Sequence, residues 1–121
     1  MIIKECYAKM NADFDGVMTR LIKADRVAKY TLKFPDDPSM ELLLQKLAEN
    51  DIETSFRAVH TLKGTASSLG FTEIYQCASD VTEELRGGKP GSLLGTKVEK
   101  LKAVYAIACD VISEYAANRE D

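Results

Sequence analysis

The sequence predicts an all-α fold, and three features of its pattern support this. Apolar residues recur at spacings of three and four along the 121-residue chain, which places them on one face of each helix. The alternation of apolar and polar residues that is typical of strands is hard to find. Prolines and glycines gather at a few points where helices would end. With 45% hydrophobic and 29% charged residues, we expect the chain to fold as a single domain overall.

Three short helices are predicted before residue 35, and Asp13 is a good cap for the second. Their apolar stripes are Ile3, Cys6, Tyr7 and Met10; Phe14, Val17, Met18 and Leu21; and Val27, Tyr30, Thr31 and Phe34. The segment FPDDPS follows, in which Pro35 and Pro38 lack backbone donors and predict either a break or a kink. Ser39 is the expected cap of the next helix.

The next helix is predicted from about Ile52 to Leu69, because both of its ends carry strong signals. Asp51 suits the N-cap, and Glu53 lies in the first turn, where the helix dipole favours an acid. Gly70 suits the left-handed position that closes a helix.

Two further helices complete the chain. Thr72 is the expected cap of the first, and Gly87 and Gly88 end it. Its short link to the preceding helix predicts an antiparallel helical hairpin. The stripe of the last helix has nearly heptad spacing, as in helical bundles: Val98, Leu101, Val104, Tyr105, Ala108, Ile112 and Tyr115.

The only histidine, His60, is predicted to face solvent from the helix at 52–69. At about 100° per residue, the core face of this helix lies about 140° away from the histidine. That core face carries Val59, Leu62, Ala66 and Leu69. The polar face of His60 also carries Glu53, Arg57, Ser67 and Ser68, which we take, together with Phe56, as candidate docking residues for a partner. Phe56 falls nearer to His60 than to the core, and either it packs back into the bundle or it offers a partner an exposed apolar contact.

Gly64 distinguishes His60 from an ordinary exposed histidine. Glycine inside a helix lowers the stability of the fold by about 1 kcal/mol relative to alanine. Gly64 lies one turn after the histidine. A missing side chain there lets another molecule approach the imidazole. Lys63, at the i+3 position, adds a cation that can contact an anion.

This trio favours phosphoryl transfer over other chemistry. Acyl transfer would need an orienting acid and an oxyanion hole, and a zinc site would need a second ligand one turn away; neither is evident. An imidazole in water has a pKa of about 6.5, so the neutral form, which is the nucleophile, is available at neutral pH. The partner would supply carboxylates and Mg²⁺.

The segment HTLKGTASSLG, from His60 to Gly70, resembles the motif of the histidine phosphotransfer (HPt) domain family of bacterial phosphorelays. His, Lys, Gly and the final Leu-Gly occur in the family's register, and the resemblance extends over about Ala24 to Tyr115.

The resemblance implies an antiparallel four-helix bundle at residues 24–119, with short extra helices at 1–23 packed on it. It implies that His60 is the phosphoacceptor, that Lys63 contacts the phosphoryl group and that Gly64 leaves room for the receiver. Ser67 would border the site, and Gly70 would close the helix. The expected partners are response-regulator receiver domains and a hybrid sensor kinase.

We therefore expect a stand-alone, cytoplasmic and monomeric phosphocarrier that is not an enzyme and needs no cofactor. Two alternatives stay open: an adaptor that binds a receiver or kinase without carrying phosphate, and an enzyme that uses His60 as a general base. With a net charge of −3 and no basic stripe, nucleic-acid binding is not expected. No apolar run suggests a membrane span. Cys6, Cys77 and Cys109 are interpreted as small buried hydrophobes rather than metal ligands.

Overall fold

The computed structural model describes residues 1–121 and contains helices but no strand, so the all-α prediction is confirmed. In chain order the seven α-helices are α1 (Ile3–Lys9), α2 (Phe14–Leu21), α3 (Ala24–Lys33), α4 (Ser39–Ala48), α5 (Ile52–Leu69), α6 (Thr72–Leu85) and α7 (Leu94–Ala117). Short 3-10 segments lie at Phe34–Asp36 and Arg86–Gly88. None of the helices combines the length and the apolar character that crossing a bilayer requires.

The proline segment breaks the helix between α3 and α4. Pro35 lies in the first 3-10 turn, and Asp37 then has an extended backbone with φ −66° and ψ 128°. Ser39, predicted to cap α4, is instead its first helical residue, so that prediction is wrong. The reason is that Pro38 already has helical dihedral angles, and the Asp37 carboxylate accepts a 2.8 Å hydrogen bond from the Ser39 amide.

Gly70 and Phe71 form the link between α5 and α6. Gly70 has a φ of +73°, as predicted, and its amide donates to the carbonyls of Ala66 and Ser67. The prediction that Thr72 caps α6 is wrong, because Phe71 occupies the N-cap position and no side chain caps the helix. The chain already turns at Gly70, so α6 begins one residue before a threonine cap would allow.

α6 packs against both α5 and α7. Ile52 and Phe56, near the start of α5, line the same hollow as Leu85 at the end of α6. Glu84, near the end of α6, forms a 2.7 Å ion pair with Lys97 near the start of α7. Each connection therefore reverses the chain.

α4 lies along α5. Met40 and Leu44 of α4 line one hollow together with Lys102 and Tyr105 of α7. α4 and α7 therefore border the same hollow.

A continuous core of 26 buried residues includes side chains from all seven α-helices. In the predicted stripe of α7, Val98, Leu101, Ala108, Ile112 and Tyr115 are buried, and Val104 and Tyr105 are half-buried against the core. In the predicted stripe of α3, however, Tyr30 is 45% exposed. Its place at the edge of the stripe, one residue before the buried Thr31, turns the ring out to solvent.

Cys6 and Cys77 are buried and Cys109 is half-buried, and all three thiols are free. Burial raises the pKa of each thiol, in the case of Cys6 to about 11. Cys6 and Cys77 therefore pack as small buried groups, as the sequence predicted, whereas Cys109 is only partly covered.

The N-terminal helices are fixed to the end of α5 by hydrogen bonds. The buried Tyr7 hydroxyl of α1 donates to the Leu69 carbonyl at 2.7 Å and lies 3.3 Å from the Thr31 hydroxyl. The Asp13 amide donates to the Gly70 carbonyl at 2.8 Å. The last carbonyls of a helix have no partner within it, so these contacts satisfy groups that α5 leaves free.

Candidate functional site

Helix α5 carries the candidate site, and its ends are set by the residues that the sequence indicated. The Asp51 carboxylate accepts a 3.1 Å hydrogen bond from the Thr54 amide, and hydrogen bonding to Thr54 lowers the pKa of Asp51. At the other end, a side chain on Gly70 would be only 2.6 Å from the Asp13 carbonyl oxygen. Gly70 therefore serves both the left-handed turn and the close approach of the N-terminal segment.

His60 is exposed on the outer face of α5. The residues predicted to face the core, namely Val59, Leu62, Ala66 and Leu69, are buried. No group of three or more His, Cys, Asp or Glu side chains is arranged to bind a metal ion. The imidazole is thus accessible from solvent and does not belong to a cluster of metal-ligating groups.

Phe56 lies one turn before His60, and their rings are stacked. The ring centroids are 6.1 Å apart and the planes differ by 8°. The Arg86 guanidinium, just beyond α6, lies 5.6 Å from the Phe56 centroid and is held by hydrogen bonds to Glu83. The half-buried Phe56 ring therefore has the Arg86 cation over it and the His60 imidazole stacked beside it.

Lys63 lies one turn after His60 on the same side of α5. Its ammonium group is 5.7 Å from the ring centroid of Tyr75 on α6, and no carboxylate forms an ion pair with it. A cation without a bound carboxylate can contact the oxygens of an incoming anion. The aromatic ring also gives the lysine stem a surface to lie on.

Gly64 is an open position on α5. A Cβ atom added there would have only the adjacent residues and the backbone of α5 within 4 Å. The absence of a side chain is therefore not explained by packing inside this molecule. It leaves the helix surface beside His60 free.

Glu53, Arg57, Ser67 and Ser68 are all exposed on α5. Glu53 and Arg57 form a weak 3.7 Å ion pair, and their side chains are 84% and 66% exposed. Such a pair contributes little to folding, so both groups are available to a partner.

Arg20 of α2 is a neighbour of this face that the sequence did not indicate. Its guanidinium donates to the carbonyls of Ser67 and Ser68 at 3.0 Å each. Nothing in the local pattern links α2 with the end of α5, 47 residues further on. The presence of a basic residue at the end of a short helix was the only available signal.

These features together place a nucleophilic imidazole, a cation and an open helix surface on one face. Comparison with curated proteins and with solved structures gave no match. The model of one protein family, described as the Hpt domain, matches residues 37–106, which include all of α4, α5 and α6 and more than half of the chain. The chain therefore belongs to the Hpt domain family, whose members carry phosphoryl groups in phosphorelays.

Proposed function

We propose that the protein is a stand-alone histidine phosphotransfer protein in which His60 carries a phosphoryl group between receiver-domain aspartates. One observation carries this proposal: the only histidine of the chain is exposed inside the family match and is followed, one turn later, by a glycine with open space around it. Neither packing nor metal binding accounts for this pairing.

The phosphoryl group is transferred from one aspartate to His60 and later, by the reverse of the same step, from His60 to another aspartate. An imidazole nitrogen of His60 attacks the phosphorus of the aspartyl phosphate, a P–N bond forms, and the P–O bond to the aspartate breaks. The carboxylate leaves with the electron pair, and the imidazolium that forms loses its ring proton to solvent. Lys63 offsets the charge on the phosphoryl oxygens, while the receiver contributes its own carboxylates and Mg²⁺.

The receiver approaches over Gly64 and contacts the exposed groups around His60. We assign Phe56, Ser67 and Ser68 to the edge of this contact. The exposed pair Glu53 and Arg57 would act mainly on association rate and specificity, because rim charges steer encounter more than they add affinity. Gly70 has a structural role at the end of α5.

We interpret residues 24–119 as the Hpt unit and α4 to α7 as its antiparallel four-helix bundle. The reversals of direction between α5 and α6 and between α6 and α7, and the hollow shared by α4 and α7, support this interpretation. α3 precedes α4 across the proline break. Residues 1–23 pack on the end of α5 through Tyr7 and Asp13 and are treated as part of the same domain.

In this proposal the protein is a cytoplasmic monomer without kinase or ATPase activity. It receives phosphoryl groups from a hybrid sensor kinase and exchanges them with response-regulator receivers. It needs neither a cofactor nor nucleic acid.

The decisive experiment incubates the protein with receiver domains of the same organism that carry ³²P on aspartate. Label should appear on the wild-type chain and be lost in acid, because protonation of the P–N nitrogen makes it a good leaving group. The variant His60→Gln should fold, bind the receiver and take no label. Receiver binding without label on the wild type would indicate the adaptor, whereas acid-stable label on His60→Gln would refute the role of His60.

A further inference from the structure

An open groove of about 660 Å³ runs beside the face of α5 that carries His60. Thr61 and Gly64 of α5 line one side, and Leu21, Tyr30 and Lys33 of α2 and α3 line the other. Because Gly64 has no side chain, nothing on α5 closes the groove at the turn next to the imidazole. The groove is therefore continuous with the candidate site.

The wall of the groove formed by α2 and α3 presents apolar groups to solvent. Tyr30 is 45% exposed, and Ile22, the neighbour of Leu21, is 72% exposed. Isolated exposed apolar residues are common, but Tyr30 lines this groove and Ile22 directly follows Leu21, which also lines it. A ring and a branched aliphatic side chain provide surface that a partner can bury.

The backbone at Ile22 is strained in a way that its packing does not explain. Ile22 has φ 69° and ψ −38°, and the Lys23 amide donates to the Leu21 carbonyl at 2.7 Å, which closes a γ-turn of the rarer hand. A β-branched residue with positive φ is an outlier, and glycine would adopt this turn more easily. Strain of this kind is concentrated at functional surfaces.

The same wall is basic, although the protein as a whole has a net charge of −3. From Arg20 to Lys33 the chain carries five basic side chains and one acidic one. The ammonium groups of Lys29 and Lys33 lie 6.0 and 5.9 Å from the centroid of the Tyr30 ring. Asp37, the acid that lines the groove, is hydrogen-bonded to the Ser39 amide. Asp37 keeps its negative charge, but α2, α3 and the residues between them carry an excess of positive charge, which favours an anionic partner on this side of the groove.

On the basis of the function proposed above, we propose that this groove is the docking site of the phosphorylated receiver and that α2 and α3 select which receiver docks. The partner would present an acidic surface around its aspartyl phosphate, complementary to Lys29 and Lys33, and an apolar side chain that enters beside Tyr30. Residues 14–33 precede the family match at 37–106, so this wall belongs to a part of the chain that the family pattern does not describe. Selectivity and chemistry thus reside on opposite walls of one groove.

The test measures transfer as a function of receiver concentration for Lys33→Glu and Tyr30→Ala. Lys100→Glu, an exposed lysine of α7 outside the groove, is the matched control. Each groove variant should raise the half-saturating receiver concentration about tenfold, as the loss of a central interface contact does, while the rate at saturation changes less than about twofold. Lys33→Glu should also weaken the dependence of the association rate on salt.

Ile22→Gly separates binding from folding. Glycine adopts the γ-turn without strain, so the melting temperature should stay the same or rise while the half-saturating receiver concentration increases. An unchanged half-saturating concentration in all three groove variants would overturn the docking site. An equal loss in Lys100→Glu would do the same, because it would show a general charge effect.

Direct binding of the phosphorylated receiver to His60→Gln distinguishes this inference from the proposed function. If receivers bind but never label wild-type His60, the proposed function fails. The groove is then tested by binding alone, from the dissociation constants of the groove variants made in the His60→Gln background. If no receiver binds, both fail. Dimerisation of the wild type that Tyr30→Ala abolishes would assign the groove to a second copy and overturn the docking site.

Discussion

The ring of Phe56 lies parallel to the imidazole of His60, with centroids 6.1 Å apart and planes 8° from each other. One turn of helix separates the two residues, so the stack is built into α5 and does not depend on a partner. A ring that already has a neighbour on one side has fewer orientations to choose from. Phe56 is thus placed to limit the rotation of the group that we propose as phosphoacceptor.

We expect Phe56→Leu to slow transfer to His60 by about two- to tenfold, the range that corresponds to one aromatic pair. Leucine keeps apolar volume at this half-buried position but lacks the flat ring. Transfer should be measured at saturating receiver, and the imidazole proton shifts should be recorded by NMR. Phe56→Tyr, which keeps the ring, should restore both. Unchanged imidazole shifts in Phe56→Leu would exclude the positioning role.

Gly64→Ala should stabilise the protein by about 0.5–1 kcal/mol, because the position is helical and open space surrounds it. Transfer should nevertheless slow, since the added methyl group stands where the receiver approaches. Gly95→Ala is the matched control: Gly95 is also an exposed helical glycine with open space around it, on α7. It should leave transfer unaltered. Equal transfer in Gly64→Ala and wild type would refute the access role.

Lys63→Met should reduce the rate of transfer at saturating receiver while the melting temperature changes little. Methionine retains most of the lysine stem beside Tyr75, and the lost contact between these two half-buried side chains contributes on the order of 1 kcal/mol. Lys100→Met removes an exposed charge from α7 and serves as control. A large loss of stability in Lys63→Met would show that the lysine is chiefly structural.

Tyr7→Phe should lower the free energy of unfolding by about 1–3 kcal/mol, because it leaves the buried Leu69 carbonyl without its donor. Urea unfolding at neutral pH measures this change. The protein with Phe at position 7 should still take label on His60 when folded, since the contact supports the end of α5 and not the imidazole. Loss of label in the folded variant would link Tyr7 to the site.

The same hydroxyl predicts a dependence of stability on alkaline pH. Burial raises the pKa of Tyr7 to about 12, whereas the unfolded side chain titrates near 10. The folded chain therefore holds this proton more tightly, so its contribution is complete below about pH 10 and is lost as the pH rises toward 12. Between pH 9 and pH 12, the free energy of unfolding should decrease more steeply in the wild type than in Tyr7→Phe. Parallel curves would contradict the burial of the hydroxyl.

Local signals were sufficient to predict the helix that carries the site. Asp51 and Gly70 each act through hydrogen bonds to residues within four positions, so the sequence alone defines α5 as Ile52–Leu69. The exposure of His60 follows from the spacing of the buried residues around it. The position of a helix end depends on few residues, so it can be predicted from the sequence when those residues have strong capping preferences.

Predictions failed where two local signals competed or where the partner is distant in sequence. Asp37 and Ser39 are both residue types that suit a helix cap, but Pro38, which already has a helical backbone, occupies the N-cap position of α4 and no side chain caps this helix. The contacts of Tyr7 and Arg20 with the end of α5 span 62 and about 47 residues. No periodicity records such contacts, because they depend on how the helices pack.

The hydrogen bonds from Arg20 to the last turn of α5 have an electrostatic consequence for the approach of a phosphoryl group. The C-terminal end of a helix carries a partial negative charge of about half an electron, and the helix rise places the Ser68 carbonyl roughly 12 Å along the axis from His60. An anion that moves along this face would be repelled by that end. The guanidinium donates to the carbonyls of Ser67 and Ser68 and places a positive charge beside that end. The path to the imidazole is thus made attractive to a dianion from both ends of the segment, by Lys63 nearby and by Arg20 at the terminus.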